Sequence, residues 1–207
     1  MDYLRDPAAI YARSFEMIRA EANFVQIPEN ARHIATRIIH ACGMVDIVED
    51  LIITPGFAEA ATKALNNKAP IFVDAEMVRH GIISRQITTG NDIICTLNDP
   101  PAREIGMAKS ITRSAAATVL WLPRLAGSIV VIGNAPTALF ALLEMIDAGA
   151  PKPAAIVGFP VGFVGAAESK AELAANPRGI PFATIRGRRG GSAMASSVIN
   201  ALTGDTP

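Results

Sequence analysis

The sequence predicts an α/β protein: a three-layer α/β/α arrangement with a largely parallel sheet and helices on both faces. Three observations carry this reading. Short, apolar, β-branched runs alternate with helical stretches from Leu51 onward, the pattern of a parallel sheet covered on both sides. The unusual Gly- and Pro-rich loops fall after strands, at the carboxyl ends where such sheets bind ligands. There are no internal repeats or low-complexity tracts, and Ala148–Pro153 is too short to link domains.

Taken in order, Asp6 followed by Pro7 is an N-cap and first-turn pair that opens a helix to about Ala22. Pro28 to Cys42 reads as a second helix, with Ala31, Ile34, Ala35, Ile38, Ile39 and Cys42 on one face and Gly43 as its stop. Strands are expected at Leu51–Thr54, Ile71–Asp74, Asp92–Thr96, Ser128–Ile132, Ala154–Gly158 and Phe182–Ile185. Helices are expected at Pro55–Asn67, Glu76–His80, Ser110–Leu122, Pro136–Asp147, Gly165–Ala175 and Gly191–Leu202.

Bulk composition narrows the function. Hydrophobic residues make up 50% of the 207-residue chain, and the mean hydropathy is +0.31. That excess fills a core, or it closes an oligomer interface or an oily pocket. Nineteen basic residues balance nineteen acidic ones, which argues against nucleic acid as a partner. Cys42 and Cys95 have no framework spacing, so neither a disulfide scaffold nor a zinc ribbon is expected. The start, Met1-Asp2-Tyr3-Leu4-Arg5-Asp6, does not read as a signal peptide, and no apolar run reaches spanning length. A cytoplasmic location follows.

Three loops carry candidate chemistry. In Gly133-Asn134-Ala135-Pro136-Thr137 the glycine permits a sharp turn, and Asn134 and Thr137 can cap a helix or face a ligand. Gly158–Gly165 is apolar and glycine-hinged, suited to a flat hydrophobic ligand. Arg186–Ser192 brings together three guanidiniums, exposed backbone N–H groups and a helix N-terminus, which suits an anion. Each loop could equally be a tight turn and no more. None matches a Walker or dinucleotide fingerprint, so no nucleotide cofactor is expected.

The second helix places His33, Arg37 and His40 on one stripe. In the last turn the helix dipole favours an imidazolium at His40 while Arg37 opposes it, leaving a histidine able to titrate near neutrality. A solvated polar face has the same spacing. Ser14 borders the Tyr11, Phe15, Ile18, Ala22 stripe as a ligand contact or a surface serine; Arg113 is a carboxylate clamp or a solvated charge. No metal-ligand grouping is found, and none is expected.

Together these segments resemble the precorrin-8X methylmutase family of corrin-ring (vitamin B12) biosynthesis. The resemblance runs through Arg13-Ser14-Phe15, Arg37–Gly43, Asp74–Val78, Thr112–Ala116, Gly133–Glu144, Pro160–Val164, Glu168-Ser169-Lys170 and Gly190–Ala193. It implies an isomerase that moves a methyl group from C-11 to C-12 of the macrocycle to give hydrogenobyrinic acid, with no cofactor. It implies one domain over residues 1–207, whose helices within 1–45 carry Ser14, Arg37 and His40. His40 is then the proton donor or acceptor, and Ser14 and Arg37 contact substrate. Arg113, Asn134, Thr137, Arg186, Gly190, Gly191 and Ser192 are expected to bind the acetate and propionate fringe. A homodimer with the site near its interface is implied, and neighbouring pathway enzymes are possible partners. The rival readings are a cobalt-precorrin-8 methylmutase and a corrinoid carrier that holds product.

Overall fold

The computed structural model describes residue 1 and residues 3–204; Asp2 and residues 205–207 of the expected 1–207 domain lie outside the described residues. Six strands form one sheet in the order β1-β6-β5-β4-β2-β3. They are β1 (Leu51–Ile53), β2 (Ile71–Val73), β3 (Ile93–Cys95), β4 (Ile129–Ile132), β5 (Ala155–Gly158) and β6 (Phe182–Ile185). Every neighbouring pair is parallel except β1–β6.

Successive side chains on a strand point to opposite faces, and both faces here are apolar. Ile71, Val73, Ile129, Val131, Ala155, Val157, Ala183 and Ile185 pack under one helical layer. That layer contains α1 (Pro7–Glu21), α2 (Arg32–Cys42), α3 (Phe57–Asn66), α4 (Glu76–Gly81) and α9 (Ser192–Thr203). Phe72, Val130, Ile132, Ile156 and Phe182 point the other way, against α7 (Pro136–Asp147), α8 (Ala166–Ala175) and Trp121. The expected three-layer α/β/α class with a largely parallel sheet is what forms.

Most elements start where a local signal starts them. The Asp6 carboxylate accepts the Ala9 N–H at 2.7 Å and opens α1. Gly43 takes the left-handed conformation that ends α2. Two expectations are corrected. The first turn after Pro28 is a 3-10 turn, Glu29–Ala31, so α2 proper begins at Arg32. The single helix expected over Ser110–Leu122 is α6 (Arg113–Val119), preceded by an unexpected α5 (Pro100–Lys109). Ser110, in the left-handed region at φ 53, separates them, and the Thr112 hydroxyl caps α6 through Ala115 N–H at 3.2 Å. In addition, β1, at the edge of the sheet, runs antiparallel to β6, its one strand neighbour.

That reversal positions the site. Leu51, the first residue of β1, lies opposite Ile185, the last of β6. The segment between α2 and β1 therefore sits at the carboxyl edge of the parallel strands. Arg186 N–H donates to the Asp50 carbonyl at 2.9 Å, and the Arg189 guanidinium bridges Asp46 and Asp50, each at 2.6 Å.

β4 leaves the sheet through a close approach. A Cβ on Gly133 would lie 2.8 Å from Ala195 Cβ and Val78 Cγ2 and 2.9 Å from Ser192 Cα. Gly133→Ala should lower the unfolding free energy by about 1–3 kcal/mol, because an overpacked site must shift its neighbours. Denaturant titration followed by Trp121 fluorescence measures this; an unchanged midpoint contradicts the packing.

Candidate active site

The last turn of α2 meets α1 at a hydrogen bond: Ser14 Oγ and His40 Nδ1 are 2.9 Å apart. Around it the Phe15 ring stacks on the imidazole at 5.0 Å, and Tyr11 approaches edge-on at 5.5 Å. The Arg37 guanidinium lies over the Tyr11 ring at 5.3 Å and the Phe15 ring at 6.0 Å. These aromatics hold the imidazole and the guanidinium on one small surface. Burial pushes the His40 pKa below the ordinary 6.5, and the like charge of Arg37 pushes it further the same way.

This pairing leaves His40 Nε2 free of the serine. A hydroxyl donates or accepts, so Ser14 supports either neutral tautomer, with Nε2 a proton donor in one and an acceptor in the other. His33 does not join the cluster. It is seven residues earlier, about 10 Å along the helix axis, and lines a separate cavity with Asn30, Glu59 and Lys63. His80 pairs with Glu76 on α4 at 3.7 Å.

The carboxyl-edge loops form a second group. Asp74, at the end of β2, is 2% exposed. Its Oδ1 accepts Gly133 N–H at 2.8 Å, and Oδ2 accepts Asn134 and Ala135 N–H at 3.0 and 2.7 Å. Burial raises its pKa while these bonds oppose the rise. Both oxygens act as acceptors and neither as a donor, which is the geometry of a carboxylate. Thr137 accepts the Thr112 hydroxyl at 2.7 Å, linking the loop before α7 to the start of α6. Arg113 follows Thr112 and lines a cavity of about 510 Å³ with Arg103, Met107 and Leu97.

The Arg186–Ser192 loop differs from its expected form. Its guanidiniums do not converge: Arg189 is committed to Asp46 and Asp50, Arg188 lies over Phe163 at 5.2 Å, and Arg186 is exposed. Gly191 N–H already donates to the Phe159 carbonyl at 2.9 Å, so that donor serves the chain itself. Gly190 is needed for the same contact, since a Cβ there would lie 2.7 Å from the Pro160 carbonyl oxygen. Ser192 opens α9 beside Gly133. Phe163 and Val164 project from the neighbouring loop, 82% and 89% exposed.

Two polar residues were not singled out from spacing. Asp74 is one. The other is Lys170, buried in α8, whose Nζ donates to the Arg189 carbonyl at 2.5 Å. Burial pushes its pKa down to about 8, against the pull of Asp50. Both cysteines are half-buried with thiols raised by burial, Cys95 to about 11, so neither is a thiolate at neutral pH. Among the described residues no group of three or more His, Cys, Asp or Glu could hold a metal ion. No helix among them is long and apolar enough to cross a membrane.

The family model for precorrin-8X methylmutase matches residues 9–204. The chain belongs to that family. A precorrin-8X methylmutase of Pseudomonas aeruginosa is 56% identical to it, covering 98% of this chain and 97% of the relative. A cobalt-precorrin-8 methylmutase of Priestia megaterium is 33% identical over 95% and 87%. The crystal structure of the Thermus thermophilus precorrin-8x methyl mutase superposes with a TM-score of 0.86 at 34% identity, covering 95% of this chain and 94% of that one. Membership bears out the resemblance and the reading of the chain as an isomerase of methylmutase type.

The depressed His40 pKa has a direct check. Proton NMR titration should place it below 6.5, and Arg37→Gln should raise it by removing the like charge. A variant titration that coincides with the wild type contradicts the Arg37 influence.

Proposed function

We propose that this methylmutase moves the methyl group of precorrin-8X from C-11 to C-12 to give hydrogenobyrinic acid, with His40 as proton donor and acceptor. The hydrogen bond between Ser14 and His40, at the edge of the sheet that carries the ligand-facing loops, is the observation on which the role of His40 rests. Protonating a ring nitrogen from Nε2 makes the conjugated system electron-poor and eases migration of the methyl. An isomerisation leaves the proton count unchanged, so the same imidazole takes the proton back. General-acid assistance of this kind is worth about 10²–10⁴ in rate.

In this reading the exposed apolar loop with Phe163 and Val164 lies against the ring face. Arg37, Arg113 and Arg186 pair with carboxylates, a role suited to the guanidinium fork. Asn134, Thr137, Gly190, Gly191 and Ser192 bound the same edge, with the Gly191 donor reaching substrate only if its bond to Phe159 is exchanged. The protein works as a single-domain cytoplasmic homodimer with the site near the interface; exposed Tyr3 and Leu4 ahead of α1, with Ile10 and Met17 on it, supply apolar surface for it. Passage of product to a neighbouring pathway enzyme belongs to the same proposal.

The metal-free substrate is favoured over the cobalt complex because relatives named for the former are 55–56% identical and those named for the latter 32–37%. Parallel turnover of both substrates decides this. His40→Ala should retain product binding and lose about 10²–10⁴ in kcat, read as the absorbance change on isomerisation. Full activity in that variant removes His40 from the mechanism.

A further inference from the structure

Three consecutive backbone N–H groups, those of Gly133, Asn134 and Ala135, converge ahead of α7, whose twelve residues begin at Pro136. Such a nest at a helix N-terminus is where many proteins hold a phosphate or carboxylate of their ligand. Here it is filled from within the chain. Asp74 reaches it from the end of β2 and meets all three donors with its two oxygens, at 2.7–3.0 Å.

The residue type is demanding. Three donors need three acceptor positions, and a carboxylate offers about four lone-pair sites. An asparagine would offer one carbonyl oxygen and turn its NH₂ group toward an N–H. The charge is worth burying only because the three bonds and the helix end answer it. The opposite side of the loop is also fixed, since Gly133 is pressed against Ala195, Val78 and Ser192. Thr137, in the first turn of α7, is tied to Thr112 at 2.7 Å.

We propose that Asp74 is a positioning residue for the methyl shift, a built-in anion that occupies the β4–α7 nest. It fixes the loop bearing Asn134 and Thr137, and it closes that nest to the carboxylates of the substrate. Those carboxylates are left to side-chain donors and guanidiniums, which sets the register of the ring in the site. The substrate's identity in this inference rests on the function proposed above.

The test uses the purified full chain carrying Asp74→Ala or Asp74→Asn, with sodium formate as the probe. Asp74→Ala should raise KM about tenfold or more, the size of one lost hydrogen bond to a charged group, with kcat changed less. Formate should restore KM and raise the melting temperature of Asp74→Ala in a saturable way. It should do neither for the wild type or for Asp74→Asn, whose side chains still fill the nest. A purely structural role predicts a lowered melting temperature with no KM-against-kcat split, and formate that acts on the melting temperature alone.

Wild-type KM in both folded variants overturns the proposal, and so does a folded Asp74→Ala that ignores formate. Should Asp74→Ala fail to fold, Asp74→Asn decides through its KM: raised supports the proposal, unchanged overturns it. If the wild type itself does not turn over the substrate, the functional reading has failed, while the formate-dependent melting shift still reports on the nest.

Discussion

β1 enters the sheet at the edge where the parallel strands leave it, because Leu51 pairs with Ile185 at the end of β6. The chain emerging from α2 must arrive at that same edge. His40, in the last turn of α2, is therefore carried to the end of the sheet where the loops after β4, β5 and β6 gather. The bridges from Arg189 to Asp46 and Asp50 trim this arrangement without holding it. The groups are 36%, 66% and 38% exposed, and pairs at that exposure contribute roughly 0–1 kcal/mol each. The holding force is apolar: Ile34, Ile38 and Ile39 are buried in α2, which packs against α9. Fully burying such a side chain contributes about 1.5–3 kcal/mol.

The sheet and its helices were legible because their signals are local. Asp6-Pro7, Gly43, Pro136 and the β-branched runs act within a few residues, and each boundary they mark falls within one or two positions of the observed one. The reversal of β1 was not legible, since strand direction depends on which neighbour completes the sheet. α5 escaped for another reason. Its buried residues are Ala102 and Gly106, too small to write an apolar stripe, so the Asp99-Pro100 start, the same pair as Asp6-Pro7, opened onto no visible helical face. The left-handed turn at Ser110 then hid the break before α6, because nothing but a neighbouring helix requires a serine to adopt that conformation.

The site divides along the same line. Arg37 and His40 are one helical turn apart, and that relation is written in the spacing. The bond from His40 to Ser14 joins residues 26 positions apart, and the resemblance named the two residues without their contact. Asp74 left a fainter mark: an acid closing the run Ile71-Phe72-Val73 is expensive to bury unless several donors meet it. The donors come from about sixty residues later, so the mark has no local answer. The Arg186–Arg189 run misled in the opposite sense. Three guanidiniums close in sequence suggest one anion, yet Arg189 turns back to Asp46 and Asp50 and Arg188 lies over Phe163. Charge density in a loop does not fix the directions in which its side chains leave.

A histidine whose neutral form is favoured is by itself a poor proton donor. Burial comes first among the causes of its lowered pKa and the charge of Arg37 second. The second is not constant during the proposed reaction. A carboxylate of the ring seated against Arg37 screens the guanidinium and adds an anion near the imidazole, and both changes favour imidazolium. On the proposed reading, the lowered pKa disfavours imidazolium in the empty site, and an arriving polyanion would draw a proton onto His40 beside the conjugated ring. Tyr11 and Phe15 hold Arg37 and His40 on a common surface, so one carboxylate can act on both. The same group that binds the fringe of the substrate would thus set the acidity of the residue that acts on its centre.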